Sequence, residues 1–327
     1  MSDRLLLTGA TGFIGSNVAR ILINKKTGFT ALIRPNTSPK RLDFLVNNAE
    51  IVKLDLADTG NLRTYLNQEK FDTIIHIGAL RGGRKYAKRV YYDANVKATE
   101  QIAEAALKNE SKLVFCSSVG VYGAIPQELP ATINTKYQSD NVYHDTKIKA
   151  EGVIQKYVLA GLKAVIIRPA ITYGENDYGF PYTLVKLVHR KLLLLPDITK
   201  IIHLANIDIV ADAFYKVSED EYRGNKIYNI ADRYPVQLDE LVDFISNRLY
   251  KRDYPGNRYI SVKFFRRLAR FAQRHGLHNF HNRIKLISNS WFYDNTESFK
   301  DLYLRHAKTI PDFKVVIDWY KKIHRIK

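Results

Sequence analysis

The 327 residues are 46% apolar and 26% charged, a globular balance that excludes an extended disordered tract, and no apolar run is long enough to cross a bilayer. A single cysteine, Cys116, excludes an internal disulfide and fits a reducing compartment. The formal charge of +18 gathers late in the chain, where residues 251–327 hold 18 Lys/Arg against 6 Asp/Glu. A field of that sign attracts nucleotide diphosphates, nucleic acid or an anionic membrane face, or simply keeps the surface solvated.

The length predicts one large domain with a smaller lobe, or two domains. Short apolar runs alternate with helical patterns through the first half, the pattern of βαβ units around a parallel sheet. The first run, RLLLTG (4–9), leads into TGATGFIG and a helix from about 12 to 23. A glycine-rich stretch beginning at Gly9 leaves no room for a signal peptide, so the mature chain is read as starting at Met1 and as cytoplasmic. FTALI (29–33) ends at Arg34, EIVKLD (50–55) ends at Asp55, and TIIHIG (73–78) precedes an alanine-rich helix over 94–108. KLVFCSS (112–118), a helix over about 141–161 and KAVIIRP (163–169) complete the regular part. Beyond Tyr173 the alternation stops at GENDYGFPYT. IIHLANIDIVADAF (201–214) and KIYNIA (226–231) read as returns to the sheet region, and the rest as helices and loops, including VKFFRRLARFAQR (262–274). The fold class is therefore α/β, a Rossmann-type doubly wound parallel sheet formed by 1–172 and about 201–232. A smaller, discontinuous C-terminal substrate lobe takes about 173–200 and 233–327.

Gly9, Gly12 and Gly15 stand directly after a strand and open a helix. That placement allows a tight turn, close approach of a pyrophosphate, and its charge at the helix N-terminus. Gly9, Thr11, Gly12, Phe13, Ile14 and Gly15 are accordingly candidate contacts for a dinucleotide. Tyr143 and Lys147 in VYHDTK share a four-residue spacing with Tyr182/Lys186, Tyr222/Lys226 and Tyr259/Lys263, so spacing alone selects none of them.

The G-x-x-G-x-x-G spacing resembles the short-chain dehydrogenase/reductase superfamily, and TGATGFIG resembles its extended, NAD(P)-dependent epimerase/dehydratase branch. Asp55-Leu56 resembles the family's adenine-contacting site, and HIGA (76–79), with Gly78 and Ala79, its H-x-A-A strand end. Asn95 resembles its mid-helix asparagine, Ser117-Ser118 with Val121-Tyr122-Gly123 its S-S-x-x-V-Y-G segment, and Arg168-Pro169 with Tyr173-Gly174 its R-P-x-x-x-Y-G segment. These matches cover residues 5–232. The resemblance implies cofactor contacts at Asp55, Leu56, Gly78, Ala79, Asn95, Tyr143, Lys147, Arg168 and Pro169, and a homodimer through the helices bearing Asn95 and Tyr143.

Of the four pairs, only Tyr143 and Lys147 lie on the helix after the fifth strand, whose end carries Ser118. The resemblance implies Tyr143 as acid/base, Lys147 as the cation that lowers its pKa and holds the nicotinamide ribose, and Ser118 as the polariser of the substrate oxygen. Arg34, where an acid would favour NAD, leans the NAD(P) reading toward NADP. His144 and Asp145 are read as solvated, Cys116 as core, the His76 side chain as not needed for the reaction, and no metal is expected.

Two reactions compete, and the first is the favoured reading. One is transient oxidation and re-reduction of a nucleotide sugar, giving epimerisation, with Arg258, Arg266, Arg267 and Arg270 available for the substrate diphosphate. The other is a single NADPH-dependent carbonyl reduction, resembling dihydroflavonol reductases and hydroxysteroid dehydrogenases. Ile171, where many nucleotide-sugar members carry Asn, leans toward the latter. Val119-Gly120 after Ser118 lack the acids of the 4,6-dehydratases. A third reading is a non-catalytic nucleotide-binding protein with a basic interaction lobe. No nucleic-acid partner is expected; VKFFRRLARFAQR, with Phe264, Phe265, Leu268 and Phe271 interleaved with arginines, is open to an interfacial role on a membrane, but its aromatics are read as packing the lobe core.

Overall fold

The computed structural model describes residues 4–81, 86–219 and 224–326. Seven strands form one sheet: β1 (Leu5–Thr8), β2 (Phe29–Ile33), β3 (Glu50–Lys53), β4 (Thr73–His76), β5 (Lys112–Cys116), β6 (Lys163–Pro169) and β7 (Lys226–Ile230). Their order is β7-β6-β5-β4-β1-β2-β3, and every pairing is parallel. The central strands are mostly apolar and buried almost end to end because both faces are covered.

One face carries α1 (Phe13–Asn24). The other carries α2 (Thr59–Gln68), α3 (Ala98–Lys108) and α4 (Val142–Leu159), whose Leu62, Leu66, Ile102, Ala106, Ala150 and Ile154 pack against Leu6, Ile74, Leu113 and Ile166 of the strands. The order reverses between β1 and β4, so the crevice at their C-terminal ends is the topological switch point, where ligands bind in open α/β sheets.

After β6 the chain builds α5 (Phe180–His189), α6 (Ile207–Glu219), α7 (Leu238–Tyr250), α8 (Val262–Arg274), α9 (His278–Ser288), α10 (Thr296–Leu302) and α11 (Lys314–His324). α6 returns to pack beside α1. Among the described residues, no helix is long and apolar enough to cross a membrane.

Two expectations are corrected. KIYNIA joins the sheet as β7, but 201–214 does not. Ile201–Ile202 pairs antiparallel with Val236–Gln237, Leu204–Asn206 pairs parallel with Ile171–Tyr173, and α6 takes the remainder. Phe264 and Phe271 of α8 do not fill a core; they are 49% and 53% exposed. Phe265, Leu268, Ala269 and Ala272 hold the inward stripe at helical spacing, which turns Phe264 and Phe271 onto its flank.

Candidate active site

At the switch point β1 ends in a turn that only glycine fits. Gly9 has φ +74°, and a Cβ there would lie 2.7 Å from the Gly78 amide nitrogen after β4. A Cβ on Gly15 would lie 2.1 Å from the Gly9 carbonyl oxygen, so α1 starts pressed against the turn. The Gly12 N–H donates to Gly9 O at 2.9 Å, and the first helical bond is Ser16 N–H to Gly12 O. No side chain caps the helix, which leaves the Phe13, Ile14 and Gly15 N–H groups at the wall of a cleft of about 410 Å³. Uncapped amides at the positive end of a helix suit a phosphate, and the groove beside them fits a dinucleotide.

Thr11, Arg34, Asp55, Leu56, Gly78, Ala79 and Pro169 line the same cleft. Arg34 is exposed at the end of β2 and makes no ion pair among the described residues. Asp55 accepts the Ala57 N–H at 2.9 Å, which fixes its carboxylate at the rim.

Ser118, Tyr143 and Lys147 meet in this cleft. Ser118 Oγ accepts the Gly120 N–H at 3.0 Å, so its own proton is free to point into the cleft beside the Tyr143 phenol. Lys147 is 2% exposed, donates to the Cys116 carbonyl at 2.7 Å and lies 4.8 Å over the Phe115 ring. Burial lowers its ammonium below the usual value, against the opposing pull of Cys116 and Glu151.

The Tyr143 phenol is not lowered as expected. Burial pushes it above its ordinary value and the Cys116 thiol adds to this, while Arg81 and the Ser118 hydrogen bond pull it down. The reason is geometric: the Lys147 ammonium is directed at a backbone carbonyl rather than at the phenol. Cys116 is core as read, with burial pushing its thiol up to about 11.

Two expected cofactor contacts do not line the cleft. Arg168 is fully buried: Nε and Nη2 donate to both oxygens of Glu151 at 2.8 and 2.6 Å, and Nη1 and Nη2 donate to the Tyr122 and Tyr137 hydroxyls at 2.6 and 2.5 Å. Glu151 sits on α4 two turns after Tyr143, so this network ties the helix that bears Tyr143 to β6. Asn95 is buried in a π-helical turn (Asp93–Lys97). It clamps the Leu80 backbone, accepting its N–H at 2.7 Å and donating to its carbonyl at 3.0 Å, and donates to Thr146 Oγ1 at 3.0 Å. Such bulges mark functional helices.

His144 also departs from expectation. It lines the cleft, pairs with Asp140 at 2.5 Å, and packs against Gly120, where a side chain would run into its ring. Asp145 is solvated and paired with Lys149. Arg258, Arg266, Arg267 and Arg270 do not line the cleft. Tyr182 belongs to an aromatic cluster with Trp319 and Tyr320, Tyr259 sits in a short strand, and Tyr222 lies outside the described residues.

Sequence reading missed Arg81, Asp177, Asn282, Leu286 and Tyr293 as cleft residues. Arg81 reaches Asp177 at 3.7 Å, and burial holds the Asp177 carboxyl above its usual range. The position of Arg81, two residues past HIGA at a strand end, was the available signal. The others come from distant segments and carried none. Among the described residues, no group of three His, Cys, Asp or Glu is placed to hold a metal.

Residues 5–231 match the NAD dependent epimerase/dehydratase family. A stretch of 257 residues is 27% identical to the N-acetyl-alpha-D-glucosaminyl-diphospho-ditrans,octacis-undecaprenol 4-epimerase of Escherichia coli O157:H7, covering 77% of this chain and 74% of that enzyme. UDP-glucose 4-epimerase GEPI48 of Cyamopsis tetragonoloba is 30% identical over 213 residues, 58% of this chain and 60% of the plant enzyme. Among solved structures, gox2253 superposes with a TM-score of 0.80 at 21% identity, covering 99% of this chain and all of that one. UDP-glucuronic acid 4-epimerase from Bacillus cereus, in complex with NAD, gives 0.76 at 17% identity over 98% and 99% of the two chains. With a family match over more than two thirds of its length and a cleft built at the switch point of a Rossmann-type sheet, this chain is an enzyme of the NAD dependent epimerase/dehydratase family.

Proposed function

We propose that the protein is a 4-epimerase acting on a sugar linked to a diphosphate, with a nucleotide sugar as the substrate class. One observation carries this reading: Ser118, Tyr143 and Lys147 converge in the same cleft as the uncapped start of α1. Two relatives, one matching about three quarters of the chain and one about three fifths, are 4-epimerases of diphosphate-linked sugars, and they support the choice of reaction over carbonyl reduction.

In this reading the α1 amides and Gly9–Gly15 hold the cofactor pyrophosphate, Asp55 and Leu56 flank the adenosine, and Lys147 faces the nicotinamide ribose. When bound, the nicotinamide supplies a reversible acceptor for hydride. Tyr143 takes the proton from the sugar hydroxyl as the carbon is oxidised and returns it on reduction. Ser118, fixed by the Gly120 N–H, holds the reacting oxygen. A buried phenol with a raised pKa is a poor base. Arg81 is therefore a cation that, among the described residues, works with Ser118 to pull Tyr143 back toward its working range.

NADP preference rests on Arg34 alone, an exposed cation where a 2′-phosphate would sit. The NAD held by solved relatives supports the opposite choice. Equilibrium titration with both dinucleotides decides, and a clear preference for NAD removes the Arg34 argument. A homodimer through α3 and α4 belongs to the same proposal and is read by light scattering.

The test of the reaction has two parts. Denaturing the purified protein should release an oxidised dinucleotide, because an epimerase retains its cofactor between turnovers whereas a reductase must exchange it. Tyr143→Phe should retain the cofactor and lose activity on a UDP-hexose by about 10²–10⁴-fold. Undiminished turnover in that variant would falsify the assignment.

A further inference from the structure

The charge excess of the C-terminal region concentrates on one hairpin. Residues 254–293 contain eight Lys/Arg (Arg258, Lys263, Arg266, Arg267, Arg270, Arg274, Arg283 and Lys285) and no Asp or Glu. None of the eight is in an ion pair among the described residues, and none lines the cleft.

Beside them stand four large apolar side chains in solvent: Phe264 at 49%, Phe271 at 53%, Leu277 at 46% and Phe280 at 45% exposure. Phe264 and Phe271 are seven residues apart, two turns along the same flank of α8, with Arg267 and Arg274 next to them on the helical wheel. Leu277 and Phe280 follow at the turn into α9. Four large apolar side chains exposed within 17 residues of one hairpin are denser than the scattered exposure a solvated surface shows.

We propose that the α8–α9 hairpin docks the protein on an anionic lipid bilayer. Phe264, Phe271, Leu277 and Phe280 enter the boundary between headgroups and acyl chains, and the surrounding arginines meet lipid phosphates. A helix of 13 residues spans about 20 Å, too short to cross a bilayer and suited to lying in its plane. Nucleic acid would use the same cations but gains nothing from an exposed Leu277, which neither stacks nor pairs. Asn282 and Leu286 of α9 line the cleft, so the element that meets the membrane is also a wall of the active site. Docking therefore brings the cleft to the lipid surface, whichever sugar it epimerises.

The intact protein is floated with phosphatidylcholine vesicles containing roughly a third phosphatidylglycerol, with pure phosphatidylcholine vesicles, and with a single-stranded oligonucleotide as competitor. Binding to the anionic vesicles alone, weakened by salt, is expected. Phe264→Ser with Phe271→Ser should lower it by about tenfold or more, without changing the thermal melt or dinucleotide retention. Arg267→Glu with Arg274→Glu repeats the test without touching an apolar side chain. The proposal fails if the wild type stays with the soluble fraction, if the phenylalanine pair proves neutral, or if the oligonucleotide displaces the vesicles.

Discussion

Single residues at this site divide into those that face the cleft and those that hold them there, and the sequence separated the two unevenly. Ser118, Tyr143 and Lys147 were legible because a strand end and one helical turn fix where they point. Arg168 was misplaced because a motif shows that an arginine is required without showing which side of the strand it takes. Its bidentate bond to Glu151 on α4 explains the requirement physically: a buried cation between a carboxylate and two phenols locks the helix that bears Tyr143. His76 is a second such case. Thr99 gives its hydroxyl proton to Asn95 O, so it accepts from His76 Nε2 (3.0 Å). With the ring's one proton on Nε2, Nδ1 accepts from the Thr8 hydroxyl (2.7 Å), which in turn accepts the Gly78 N–H. The ring is held as one neutral tautomer, and burial, then Lys147, lowers its pKa to about 3. Because the unfolded ring protonates near pH 6.5 and the folded one does not, stability should fall as pH drops from about 6.5 toward 3, by at most on the order of 5 kcal/mol. Urea midpoints across that range measure it. His76→Asn should be weaker at neutral pH yet show a flatter acid limb; an unchanged slope would refute this account.

At the scale of elements, the parallel sheet was readable because strands buried on both faces are continuous apolar runs with turn residues between them. Two of the six regular strands, FTALI and KAVIIRP, matched to the residue. The later segments were not readable for the opposite reason. Pairings of two or three residues, such as Ile201–Ile202 with Val236–Gln237, leave no alternation to detect. Likewise, a helix shows its apolar arc in sequence but not how much of the arc a neighbour covers, which is why Phe264 and Phe271 were expected inside. The glycine turn gives a sharp prediction. Gly15→Ala places a methyl 2.1 Å from Gly9 O, so α1 must shift; stability should fall by about 1–3 kcal/mol and the protein should purify without dinucleotide. Gly152→Ala in the middle of α4, with nothing within 4 Å, should instead raise stability by about 1 kcal/mol. Chemical melts of both variants, with absorbance of any released cofactor, check the pair.

For the molecule as a whole, Asp232 joins the parts. Its carboxylate accepts from the Asn206 N–H and the Tyr173 hydroxyl at 2.7 Å and from Thr309 at 2.5 Å, while its carbonyl accepts from His203 and Asn295. Burial raises this carboxyl to about 6, so the strand following β6, the residues before α6 and the C-terminal helices meet on one costly group that its partners satisfy. That joint makes the cleft a product of the whole chain, since Tyr293 and Leu286 wall it from one side and the glycine turn from the other. The lone cysteine then acquires a use. Cys116 lies on the cleft floor, 5% exposed, with a thiol that burial keeps protonated. A disulfide reagent added at neutral pH has one thiol to find and no direct route to it. Its reaction rate therefore acts as a clock for how often the cleft opens, and a bound dinucleotide should slow that clock without any assay of turnover.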